Sequence, residues 1–159
     1  MREFDFEAIG THWNIRIAGD VPAVESGELL RIIRARIDIF DRDYSRFRED
    51  SLVTRMSKAA GAYTLPEDAR PMLDLYCALY ARTGGLFTPL IGQVISDAGY
   101  DASYSLETKE LHVPPAWDEV LEYDFPLLTL KQPILLDFGA AGKGYLVDLV
   151  AQLIRDAGA

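Results

Sequence analysis

The stretch "ILLDFGAAGKGYLVD", residues 134–148, holds the residue types in this chain best suited to chemistry. An apolar run, Ile134 to Leu136, ends at an acid, Asp137. Gly139, Gly142, Lys143 and Gly144 follow, and then a helix-like pattern. Backbone N–H groups at a helix start, together with the helix dipole, form an anion site. Glycines let that backbone approach a phosphate closely, and Lys143 adds a mobile positive charge. The spacing points to a cradle for a phosphate or pyrophosphate. A tight strand-to-helix turn, whose glycines serve only close packing, is the bland alternative and stays open. Two common phosphate loops do not fit. The dinucleotide fingerprint needs Gly-x-Gly-x-x-Gly, and here the order is Gly139-x-x-Gly142-x-Gly144. The Walker loop needs glycine and Ser/Thr where Asp137 and Gly144 stand. Asp137 either caps the following turn, bonds a polar ligand edge, or sits beside a metal ion. A single carboxylate is too little for a magnesium shell.

A second segment, "RDYSRFREDSLVTRMSK" (42–58), is locally basic in a chain of net charge −9. It reads either as a solvated helical corner or as an anion-tolerant rim. In the second case Tyr44 and Phe47 can stack on a flat ligand. The overall negative charge argues against a nucleic-acid surface, which needs clustered Lys and Arg, and against an anionic membrane.

The elements that must position these groups follow from pattern. Residues 4–18 alternate as two strands with a bulge or kink at Gly10. Pro22 opens a long amphipathic helix to about Asp43, with Leu29, Ile33, Ile37 and Phe40 on one stripe. A short helix begins at Ser51, with Val53 and Met56 inward, and "AYTL" is a short strand. Pro66 starts a helix that buries Met72, Leu75, Tyr76, Leu79 and Tyr80 and stops at Gly84 and Gly85. Thr88 caps a further helix with Pro89 at its first position and Gly99 at its end. "KELHV", "LLTLK" and "PILLDF" are expected strands, the last two joined by a turn at Lys131–Pro133. The final helix is expected from about Gly144 to Ala157. Elements mix without regular alternation, which favours an α+β fold with a mostly antiparallel sheet over a doubly wound one. At 159 residues the chain has the length of one domain. Cys77, the only cysteine, lies in an apolar helix pattern and reads as core; no intrachain disulfide or Cys-based zinc site is possible. No signal sequence and no membrane span is read in the chain as given, so a cytoplasmic location is expected.

Four stretches, in order, resemble the FAD:protein FMN transferase family, the ApbE-like flavin transferases: "AIGTHWNIRI", "YSRFREDSLVTRMS", "TGGLFTPLIG" and "LLDFGAAGKGYLVD". They run from residue 8 to 148, and the last is the specific one. The resemblance implies a T-fold-like α+β domain of which residues 1–159 are the N-terminal half. It implies an enzyme that splits FAD with Mg²⁺, moves FMN to a Thr or Ser hydroxyl of a target protein and releases AMP. By the same resemblance Ile9 and Phe47 lie against the isoalloxazine ring, and the Leu86, Phe87 and Thr88 backbone edges the flavin. Asp137 holds a polar group of FAD, Ala140 offers its carbonyl to Mg²⁺, and Lys143 sits near the pyrophosphate. Ile9 stands in place of the usual methionine, Ser57 in place of asparagine, and Thr88 where many relatives have Asp. "AGYDASYS" pairs only loosely with the family's aromatic Trp-Gly-Phe stretch. Members are typically about twice as long, and their second half carries the remaining metal-binding residues and the expected general base. The chain alone is therefore expected to be inactive. A non-catalytic FAD-binding module and one half of a split enzyme, completed by another chain or a self-dimer, are the alternatives.

Overall fold

A computed structural model describes residues 1–19 and 25–158. Pro22, expected to open the first helix, lies outside the described residues. The chain divides into two compact units, Met1–Asp41 with Lys143–Ala159, and Arg42–Gly142.

The first unit is built on a hairpin. Strands β1 (Arg2–Ala8) and β2 (Thr11–Ile17) pair antiparallel with Phe6 opposite Trp13. Strict alternation puts Phe4, Phe6, Trp13 and Ile17 inside and the charged residues between them outside. Phe6 and Trp13 stack at 6.1 Å. Gly10 is not a bulge. Ile9 and Gly10 form a two-residue turn with φ of 48° and 65°, the left-handed pair that matches strand twist. Helix α1 (Ser26–Tyr44) buries Leu29, Ile33, Ile37 and Phe40 at helical spacing, as the pattern predicts. Its first turn carries Glu28 and its last Arg42, each suited to the dipole at that end. Helix α6 (Gly139–Asp156) brings Leu146, Val150 and Ile154 into the core of this unit, and Tyr145 meets Phe40 at 6.4 Å.

In the second unit, Ser51 caps the short helix α2 (Leu52–Met56) by accepting the Thr54 N–H at 2.9 Å. Strand β3 (Gly61–Thr64) follows, then α3 (Ala69–Arg82). The α3 core face is Ala69, Met72, Leu73 and Tyr76. Leu75, expected inside, is exposed, because the buried residues follow i, i+3, i+4, i+7 spacing from Ala69 and position 75 falls beside that stripe. Cys77 is half-buried, and burial pushes its thiol pKa up, away from the reactive thiolate. Thr88 caps a 3₁₀ turn, Pro89–Ile91, that runs into α4 (Gly92–Asp97), and Gly99 ends the helical stretch with φ of 99°. Helix α5 (Trp117–Val120) leads into β4 (Leu121–Asp124) and β5 (Leu127–Leu130). The sheet order is β3-β5-β4, all antiparallel. Both sheets are antiparallel, so the α+β expectation holds. β4 was missed because "LEYD" is too short and too polar to read as a strand.

Two expected strands are not strands. "KELHV" is irregular and exposed, with Leu111 and Val113 open to solvent. "PILLDF" keeps a strand's alternation, with Ile134, Leu136 and Phe138 buried. It has no ladder, since β5 already pairs on both sides. It is tethered instead by the Ile134 N–H to the Met56 carbonyl at 3.1 Å and the Asp137 N–H to the Pro89 carbonyl at 2.8 Å. The final helix starts at Gly139, not near Gly144, so the glycine run is the first turn of α6 rather than a loop before it.

Candidate functional site

The site grows from Arg46. It follows the end of α1, and its guanidinium is almost fully buried, with a side-chain exposure of 3%. A charge is kept there only if paired. Its Nε–H donates to Asp137 Oδ2 at 2.6 Å across 91 residues of sequence. Its carbon centre lies 4.2 Å from the Phe47 ring centroid and 5.0 Å from that of Tyr100, both cation–π distances. The Nη2 nitrogen of Arg46 is buried without a hydrogen-bond acceptor among the described residues. Phe47 also meets two further rings. Tyr104 stacks parallel to it at 5.2 Å and 4°, and Tyr100 meets it edge-on at 5.4 Å.

Asp137 is fully engaged. While Oδ2 takes Arg46, Oδ1 accepts the Gly139 N–H at 2.7 Å and so caps α6. This is the capping role that the residues allowed. A Cβ on Gly139 would come within 2.8 Å of that same oxygen, so a larger residue there requires the Asp137 carboxylate to shift. The next donors are also spoken for. The Ala141 and Gly142 N–H groups reach the Phe138 carbonyl at 3.2 and 2.7 Å. The Tyr76 hydroxyl nearby is buried without a hydrogen-bond partner among the described residues, and burial pushes its pKa up to about 12. Of the first-turn N–H groups, those of Gly139, Ala141 and Gly142 therefore bond within the chain, to the Asp137 carboxylate and the Phe138 carbonyl.

Around this point the second unit packs aromatic rings. Tyr76 meets Phe87 at 5.0 Å and Phe138 at 5.6 Å, and Tyr44 meets Phe138 at 5.7 Å. The Tyr44 hydroxyl donates to Asp68 at 2.6 Å. Of the residues expected at a flavin site, Phe47 and Asp137 come together through Arg46, and Phe87 joins the Tyr76 cluster. Leu86 is exposed and Thr88 is used as a helix cap. Ala140 is exposed in the first turn of α6. Ile9 and Lys143 belong to the first unit. Lys143 is exposed, and Ile9 is half-buried with its strained φ of 48°.

Sequence reading missed four residues here. Arg46 was counted only as one of several basic residues, though an arginine set between aromatic residues in "YSRF" was the signal. Tyr76 was read as core alone. Tyr100 and Tyr104 lay in a stretch without periodic pattern. A cavity of about 420 Å³ elsewhere in the second unit is lined by Gln93, Asp97, His112, Pro133 and Leu135, and it contains none of the expected residues.

Ala140 and Asp137 do not fit a Mg²⁺ site by themselves. Octahedral magnesium wants several free oxygens, and both carboxylate oxygens of Asp137 are already bonded. Among the described residues no group of three His, Cys, Asp or Glu is placed to hold a metal ion. No helix among them is long and apolar enough to cross a membrane.

Comparison with known proteins meets this geometry from outside. No curated protein matches the chain by sequence. Solved structures match closely in fold. The flavinyl transferase ApbE of Pseudomonas stutzeri, in its apo form, superposes with a TM-score of 0.80 at 22% identity, over 99% of this chain and 55% of that one. The flavin transferase ApbE of Vibrio cholerae gives 0.78 at 20%, over 99% and 54%. The ApbE protein of Thermotoga maritima gives 0.78 at 19%, over 99% and 53%. The chain thus spans about half the length of the solved structures it matches. The sequence model of the ApbE family matches residues 9–159, nearly the full chain, and it takes in the hairpin turn, the Arg46–Asp137 pair and the glycine-rich first turn of α6. The chain belongs to the ApbE family.

Proposed function

We propose that this chain is the flavin-holding part of an FAD:protein FMN transferase. The observation that carries the reading is the family match over residues 9–159, which includes the buried Arg46–Asp137 pair beside the Phe47 ring. Phe47 offers a ring face to the isoalloxazine. Asp137 and Arg46 fix the end of that surface, and the backbone of Leu86, Phe87 and Thr88 edges it. Ile9 and Lys143, in the first unit, keep the roles against flavin and pyrophosphate that the family resemblance implies. Ala140 would contribute one carbonyl to a Mg²⁺ ion whose other ligands come from outside this chain.

In the whole reaction a Thr or Ser hydroxyl of the target protein bonds to the FMN-side phosphorus. The bond from that phosphorus to the bridging oxygen breaks, and AMP leaves with that oxygen. The hydroxyl proton passes to a base outside the described site. A second reading, FAD binding without turnover, is favoured by the engagement of both Asp137 carboxylate oxygens within the chain. It covers both a binding module and one half of a split enzyme.

Titration of the chain with FAD, followed by flavin fluorescence and by AMP release with Mg²⁺ and an acceptor peptide, tests both. Quenching without AMP is the expected result. AMP and a covalent flavin–peptide product from this chain alone would remove the binding-only reading. Failure of Phe47→Ala to weaken binding would remove Phe47 from the site.

A further inference from the structure

We propose that Tyr104 is a displaceable cover on the ring subsite of Phe47. Its phenol holds the place that a planar heteroaromatic ligand, the isoalloxazine of the proposed function, takes on binding. This deepens that reading and rests on it.

The first ground is geometry. Tyr104 lies parallel to Phe47, with centroids 5.2 Å apart and planes within 4°. One side of a ring accepts one stacked partner, so phenol and ligand exclude each other there. Tyr100 meets Phe47 and Tyr104 edge-on, at 5.4 and 5.3 Å, and stays as a side wall.

The second ground is attachment. The loop from Gly99 to Leu106 is pinched at its base, where the Leu106 N–H donates to the Gly99 carbonyl at 2.9 Å. A Cβ on Gly99 would come within 2.8 Å of the Leu106 carbonyl carbon, so glycine permits the pinch. The tip is held by itself. The Asp101 carboxylate accepts the backbone N–H and hydroxyl of both Ser103 and Ser105. These side-chain bonds end within the loop, and the Tyr104 ring ties the tip to Phe47 and Tyr100. Tyr100 is anchored at the base, where its N–H donates to the Ile95 carbonyl at 3.1 Å. The tip, residues 101–105, can therefore lift as one piece, giving up chiefly stacking.

The test measures FAD affinity of the complete chain by fluorescence quenching, in wild type, Tyr104→Ala, Tyr104→Trp and Phe47→Ala. Tyr104 is 52% exposed, so its replacement leaves the core untouched. Removing the cover tightens FAD binding roughly threefold to tenfold, the worth of one aromatic pair. The larger tryptophan cover weakens binding. Should Tyr104→Ala bind FAD equally or more weakly while Phe47→Ala is impaired, Tyr104 is a bystander or a second wall; the cover is then wrong and the flavin reading stands. If Phe47→Ala binds as wild type does, the flavin reading falls and the cover with it. Were wild type not to bind at all, binding gained by Tyr104→Ala supports the cover, and a silent Tyr104→Ala overturns both.

Discussion

At the scale of single residues the decisive group is Arg46. A guanidinium 3% exposed, paired to a carboxylate that is 14% exposed, is held by the fold rather than by solvent. Truncating one partner leaves the other charge buried and unpaired, which costs more than the intact pair contributes. Arg46→Ala is accordingly expected to destabilise the chain by about 3 kcal/mol, the low end for such pairs because Asp137 keeps some water. Urea unfolding measures it, and a loss below about 1 kcal/mol, the range of a surface pair, would show that the pair is not buried in solution. Ile9 is a second informative residue. A β-branched side chain in the left-handed region is unfavourable, and the hairpin tolerates it at a position where the resemblance implies ligand contact.

Secondary-structure elements give the glycines their meaning, and two of them predict opposite signs. Gly92 opens α4, and an added Cβ would overlap the Leu135 carbonyl oxygen and lie 2.9 Å from its carbon. The extended 134–138 segment and α4 approach each other backbone to backbone only because that side chain is missing. Gly92→Ala therefore costs about 2 kcal/mol, as overpacking does. Gly144, inside α6, meets nothing within 4 Å. Gly144→Ala stabilises by roughly 0.5–1 kcal/mol through helix propensity. Thermal unfolding of the two variants should move in opposite directions, and a common sign would contradict the packing around one of them. If Gly144→Ala is more stable yet binds FAD poorly, its glycine serves ligand approach rather than folding.

For the whole molecule, charge sets the approach of an anionic nucleotide. The chain carries −9 at pH 7, and like charge slows encounter unless salt screens it. Stopped-flow association of FAD should therefore speed up as ionic strength rises, while neutral riboflavin changes little. A rate that falls with salt would mean that the local field of the basic 42–58 segment outweighs the net charge. The same whole-chain view explains why the metal question ends where it does. The acid nearest the expected metal carbonyl is already spent on Arg46 and on the α6 cap.

Local pattern alone determined the two alternating strands of the hairpin, the stripe of α1, the start of α2 at Ser51, the Thr88 cap and the stop at Gly84 and Gly85. Each follows from forces within a few residues: side-chain alternation, helical spacing, or one hydroxyl reaching one N–H. The family too was legible there, because its signature is a run of neighbours in sequence. Tertiary structure decided that "PILLDF" has no ladder, that the glycines belong to α6, and that Arg46 meets Asp137 across 91 positions. It also decided that Tyr104 lies on Phe47. A strand needs a partner, a buried charge needs a counter-charge and a ring needs a ring, and none of these partners is adjacent in the chain. Their pairing is fixed only when packing brings distant segments together.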